Sequence, residues 1–138
     1  MRIMALDVGD RKIGIAVSDP MCIIANPLET YFRQHDKADF AYLKDLCASK
    51  EVTKIICGLP KKLDNSDSIQ TQKVRTFAAE LESVLEIPVV LFDERLTTVS
   101  AERMLIEGNV RRDDRKQVID KVAATIILQN YLDIKSYK

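Results

Sequence analysis

Apolar residues fall along the chain in short blocks of two different periods, and the blocks divide it into elements. "RIMAL" (residues 2–6) and "IGIAVS" (residues 13–18) read as two strands around a short turn containing Gly9 and Asp10. A third strand falls within "PLETYFR" (residues 27–33). Phe40, Leu43, Leu46 and Cys47 then recur at helical spacing over residues 35–50. "KIICGLP" (residues 54–60) is a short apolar strand stopped by Gly58 and Pro60, followed by the polar loop "KKLDNSDS". Asp67 with Gln70 three residues on resembles a capping box, opening a helix with Val74, Phe77, Ala78, Leu81, Val84 and Leu85 on one face. "PVVLFDER" (residues 88–95) is the fifth strand, apolar until Asp93 and Glu94. A short helix over residues 97–107 closes on Gly108 and Asn109, and Asp114 with Gln117 caps a last helix reaching about Leu132.

The order βββαβαβαα predicts an antiparallel meander of three strands. The later strands arrive through helical crossovers and so join the sheet in parallel. No linker, repeat or low-complexity stretch divides the chain, so residues 1–138 are expected to form one α/β domain.

This pattern puts carboxylates where apolar groups would otherwise lie. Asp7 follows Ile3, Met4 and Leu6; Asp93 and Glu94 follow Val89, Val90, Leu91 and Phe92. Asp120 precedes Ala123, Ala124 and Ile127 by three, four and seven residues, on the face of a small apolar stripe. Each acid alone has a plainer explanation. Asp7 suits a turn, Glu94 an ion pair with Arg95 or a helix cap, and Asp120 an i, i+4 contact. Brought together they repel one another and need a cation, and hard oxygen donors suit Mg²⁺ or Mn²⁺. Such ions serve phosphoryl chemistry without a side-chain nucleophile.

Composition narrows the alternatives. The single histidine, His35, leaves no partner for a His-based zinc site or triad, and three cysteines without a C-x-x-C pair read as small buried hydrophobes. With 21 basic and 21 acidic residues the net charge is zero, so nucleic-acid binding must rest on local patches. Candidates are Arg11 and Lys12 beside Asp7, Lys61 and Lys62 after the fourth strand, Arg95, and the run Arg111, Arg112, Arg115 and Lys116 before Asp120. No apolar run approaches the ~20 residues of a membrane span and no signal peptide precedes the first strand, so a cytoplasmic protein without a membrane partner is expected.

The segments "LDVGDRKIGIAVSD", "CGLPKKLDNSD", "VRTFAAEL", "DERLTTVSAERML" and "DKVAATIILQNYLD" resemble, in order, motifs of the YqgF/RuvX family, and "DERLTT" is highly specific to it. Its members are small bacterial proteins labelled Holliday junction resolvases or precursor ribosomal RNA nucleases. The resemblance implies an RNase H-like fold, a mixed five-stranded sheet of order 3-2-1-4-5 with helices on both faces. It also implies that Asp7, Glu94 and Asp120 are catalytic and hold Mg²⁺ or Mn²⁺. Asp93 and Glu94 point to opposite sides of a strand, and the sequence leaves open which one faces Asp7. The loop that is M-D-G-S in many relatives is "LDNS" here, with Asn65 in place of glycine.

The implied function is a metal-dependent nuclease, with RNA favoured through maturation of precursor 16S ribosomal RNA, and branched DNA as the alternative. The implied partners are nucleic acid and a ribosome or its precursor, the chain being a monomer or a homodimer. Two other classes compete: a non-catalytic nucleic-acid- or ribosome-binding module, and an actin-like ATP-binding domain suggested by D-x-G-x-x-x-x-G. The latter normally needs two such domains.

Overall fold

The computed structural model describes residues 1–59, 69–93 and 112–136, with residues 112–121 and 135–136 described by their backbone alone. Five strands, β1 (Arg2–Val8), β2 (Lys12–Ser18), β3 (Ala25–Phe32), β4 (Val52–Leu59) and β5 (Val89–Asp93), form one sheet of order β3-β2-β1-β4-β5. The first three pair antiparallel, while β1–β4 and β4–β5 are parallel, as the hairpin and crossover connections require. The described helices are α1 (Asp36–Lys50), α2 (Ile69–Leu85) and α3 (Arg112–Ser136).

Strands apolar on both sides are buried on both sides. Met4, Leu6, Val8, Ile13, Ile15, Ile55 and Cys57 meet Phe40, Leu43 and Cys47 of α1 and Val74, Phe77 and Leu81 of α2. The other face carries Ile3, Ala5, Ala16 and Ile56, covered by Ala124, Ile127, Leu128 and Leu132 of α3. Alanines at Ala5, Ala16 and Ala124, all fully buried, let α3 lie close across β1, β2 and β3. Gln129 holds its register: the side-chain amide accepts from Ala25 N–H at 2.9 Å and donates to the Ile23 carbonyl at 3.0 Å. Lys54 adds a second tie, donating to the Tyr131 hydroxyl at 2.8 Å.

Several expectations are corrected. Val84 is exposed rather than buried, because α2 turns Thr71 inward in its first turn and carries its buried stripe through Leu81 to Leu85. The last helix is already helical at Arg112, so Asp114 lies inside it rather than capping it. Arg, Lys and Gln are good helix formers, and the run "RRDDRKQ" extends the helix that was expected to follow it. The proposed cap at Asp67 and the helix over residues 97–107 lie outside the described residues.

Two helix exits are strained. Glu51 and Glu86 end α1 and α2 with φ of 56° and 57°, a left-handed conformation that costs a β-carbon-bearing residue about 1–2 kcal/mol. Glycine relieves it but gains freedom in the unfolded chain, so Glu86→Gly should stabilise by about 0.5–1 kcal/mol. Urea denaturation reads this as a higher midpoint at unchanged m-value.

Candidate active site

Alternation along β1 sends Met4, Leu6 and Val8 toward α1 and α2, and Ile3 and Ala5 toward α3. Asp7 belongs to the second set. It is half-buried, on the α3 face, one residue before the strand ends. Its row is cleared of side chains on both sides. Gly14 stands directly opposite on β2, and continuing the β1–β4 register one residue past the Leu6–Cys57 pair sets Gly58 on the other flank. Phe92 follows Gly58 on β5. A glycine inside a strand costs roughly 0.5–1 kcal/mol relative to alanine and commonly marks a place where a ligand comes close. Two of them around one carboxylate exchange stability for space.

Asp7 lines a depression of ≈ 350 Å³ with Gly9, Asp10, Arg11 and Lys12. Lys12 shares the α3-side parity of Gly14 and Ala16 on β2, so both cations beside "LDVG" border the acid. The turn between them is tight. Gly9 N–H donates to the Lys12 carbonyl at 2.8 Å, and a β-carbon on Gly9 would lie 3.1 Å from that same oxygen.

Asp93 is brought to the opposite side. It pairs with Leu59, which is buried under α1 and α2, and it continues the parity of Val89 and Leu91 rather than that of Val90 and Phe92. Position 120 lies in the backbone of α3, one turn before Ala124 and two before Ile127, both buried against the sheet face that bears Asp7. Glu94, Lys61, Lys62, Arg95 and Arg111 lie outside the described residues, and Arg112 and Arg115 are described by backbone in the first turn of α3.

Among the described residues no three His, Cys, Asp or Glu side chains form a metal-binding group. The donor chemistry around Asp7 still fits a hard cation. His35 is committed elsewhere, its Nδ1 accepting from Ala38 N–H to cap α1. Cys47 and Cys57 lie in the core on the other face, where burial pushes their thiols up to about 11 and about 12. Neither is a thiolate at neutral pH, and Cys22, half-buried on the α3 side, sits beside Ser18 at the far end of β2, so none of the three cysteines competes with carboxylate oxygen at Asp7.

Sequence reasoning passed over a buried ionic network behind the turn. Asp39, fully buried in the first turn of α1, accepts from Arg33 Nε at 3.0 Å, from the Tyr31 hydroxyl at 2.8 Å and from Gln34 N–H at 3.0 Å. Burial pushes its carboxyl up, but the Gln34 amide, the Arg33 guanidinium and the Tyr31 hydroxyl outweigh that and hold it below the ordinary value. Arg33 also pairs with Asp36 at 3.0 Å, lies 5.0 Å from the centre of the Phe77 ring and donates Nη1 to the Gly9 carbonyl at 2.9 Å.

Residues 1–134 match the RuvX family, described as Holliday junction resolvase. The chain belongs to the RuvX family. Three relatives of the chain carry the name "Putative pre-16S rRNA nuclease". The Thermoanaerobacter pseudethanolicus protein is 50% identical over the full length of both chains. The Halalkalibacterium halodurans protein is 49% identical, also over both full lengths. The Heliobacterium modesticaldum protein is 47% identical over 99% of this chain and 92% of its own. Among solved structures, RuvC of T. thermophilus in complex with a Holliday junction superposes with a TM-score of 0.64 at 11% identity, covering 100% and 97% of the two chains. The fowlpox virus resolvase with its junction DNA superposes with a TM-score of 0.58 at 12% identity, covering 98% and 99%. At those identities the likeness shows the fold: the chain has the RNase H-like sheet of the resolvases, in the order 3-2-1-4-5 that its motifs imply. No described helix is long and apolar enough to cross a membrane.

Proposed function

We propose that residues 1–138 form a single nuclease domain that hydrolyses phosphodiester bonds in precursor 16S ribosomal RNA, working in the cytoplasm on a ribosomal precursor. The observation that carries this reading is the glycine-flanked Asp7, set beside Arg11 and Lys12 on the face that α3 covers. Strand alternation supports Glu94 over Asp93 as its partner, since Val90 and Phe92 share the α3 side. Helical spacing supports Asp120 as the third acid, one turn before Ala124. Asp7, Glu94 and Asp120 would hold Mg²⁺ or Mn²⁺. A bound divalent ion supplies Lewis acidity at the scissile phosphate and lowers the pKa of an attacking water.

The chain's own cations do the rest. Arg11 and Lys12 hold the nucleic-acid backbone at the acid, and Lys61, Lys62, Arg95, Arg111, Arg112 and Arg115 are the further cations assigned to that grip. RNA is favoured because relatives close to half identical over their whole length carry the ribosomal RNA name. Branched DNA is supported by the family description and by the resolvase-like fold.

Labelled precursor 16S RNA and a four-way DNA junction, each incubated with Mg²⁺, Mn²⁺ or EDTA, separate these readings. Metal-dependent cutting of the RNA is expected. Cutting of the junction alone would move the function to recombination, where paired cuts call for a two-fold dimer. EDTA-insensitive binding of either substrate without cutting would make the chain a binding module.

A further inference from the structure

Asp7 is two residues from a turn that is closed by one backbone bond, from Gly9 N–H to the Lys12 carbonyl. Further support comes from a residue 24 positions beyond Gly9. Arg33 donates its backbone N–H to the Arg11 carbonyl at 2.8 Å and its Nη1 to the Gly9 carbonyl at 2.9 Å, gripping the turn at two points. Its guanidinium has little freedom to do anything else. Nε is held by the buried Asp39, Nη2 by Asp36, and the plane lies near the Phe77 ring. Asp39 in turn is fixed by Tyr31 and by the Gln34 amide at the start of α1. A chain of short polar contacts therefore runs from the α1 N-terminus, through Arg33, to the turn that borders Asp7.

We propose that Arg33 is a positioning residue, which sets the Gly9–Lys12 turn and through it the placing of the Asp7 carboxylate for a divalent cation. This rests on the metal-nuclease reading of Asp7. A planar fork suits the task, because three nitrogens reach three oxygens at once. Lysine keeps the charge and loses the geometry. Groups that orient a metal ligand from behind typically change metal affinity by about 10–100-fold when removed.

The test compares the wild type with Arg33→Lys, Arg33→Met/Asp39→Asn and Asp7→Asn. The double variant removes the buried Asp39 charge together with that of its half-buried partner Arg33 and leaves a side-chain amide oxygen to accept from Tyr31 and Gln34, so it guards against a simple folding failure. Mn²⁺ binding is read by electron paramagnetic resonance of the free ion, and amide hydrogen exchange is read at residues 9–12 against Met4 and Ala5. Both Arg33 variants should exchange faster at the turn while Met4 and Ala5 stay protected, and bind Mn²⁺ at least about tenfold more weakly. Unchanged turn protection would overturn the inference, as would a loosened turn with wild-type Mn²⁺ affinity. Wild-type Mn²⁺ affinity in Asp7→Asn would instead remove the metal-site reading, and the inference with it.

Discussion

Asp7→Asn should abolish cleavage, lowering the single-turnover rate at saturating Mg²⁺ by at least about 10³-fold while the protein stays folded. The expected size follows from what the substitution removes. Asparagine keeps the shape and an acceptor oxygen but not the charge, and charge is what a hard cation selects. A loss of about 10³-fold corresponds to about 4 kcal/mol of transition-state stabilisation, within what electrostatic groups at a reacting phosphate supply. Stability should hold or rise, because a half-buried carboxylate in a row opened by Gly14 and Gly58 serves function at some cost to the fold. Asp93→Asn is the companion measurement. Asp93 carries the parity of Val89 and Leu91, away from Asp7, so this variant should retain activity within about threefold. Quench-flow or gel-based single-turnover assays on both variants, with thermal melts alongside, check the pair. Activity surviving in Asp7→Asn would remove Asp7 from the site, and activity lost in Asp93→Asn would reverse the choice of Glu94 over Asp93.

That contrast marks where the sequence stops being informative. The strands and their pairing were legible because blocks such as "RIMAL" and "KIICGLP" are short, apolar and bounded by turn residues, and because helical crossovers force parallel pairing. Which of Asp93 and Glu94 faces Asp7 was not legible, for a physical reason. Val89, Val90, Leu91 and Phe92 are all apolar, so alternation has no polar face to anchor it. Only packing identifies Val89 and Leu91 with α1 and α2, and Val90 and Phe92 with α3. Gly14 and Gly58 were equally ambiguous. One read as a residue inside a strand and the other as a strand stop, and their shared place beside Asp7 depends on register across three strands.

The buried network was hidden more deeply. Asp36 and Asp39 look like ordinary first-turn acids that complement a helix dipole, and Arg33 like the polar end of an edge strand. Nothing in their spacing says that Asp39 points inward or that Arg33 reaches a carbonyl 24 residues upstream. A signal was present in hindsight. Asp39 directly precedes the buried Phe40, and Tyr31, Arg33 and Asp39 recur within nine residues around a strand-to-helix junction.

Asp39→Ala should be the most destabilising single substitution among the described polar residues, costing about 3 kcal/mol. Removing one partner of a buried ion pair typically costs about 3–5 kcal/mol, because the other charge is left uncompensated. Here Arg33 keeps Asp36 and the Gly9 carbonyl, so the lower end applies. The Tyr31 hydroxyl and the Gln34 amide lose their acceptor as well. The pH dependence separates this from a mere packing loss. Asp39 has its folded pKa held below the unfolded value of about 3.9, so its contribution is fully present above that pH. It fades as the pH falls through the folded value, where protonation takes the charge from Arg33. The wild type should therefore lose stability steeply on the acid side, below about pH 4. Asp39→Asn, already neutral, should start less stable at pH 7 and show a shallower acid limb. Urea titrations of both proteins from pH 7 to pH 3 measure the difference. Parallel curves would mean that Asp39 is not held as a charged acceptor by Arg33, and would remove the anchor on which the Gly9–Lys12 turn depends.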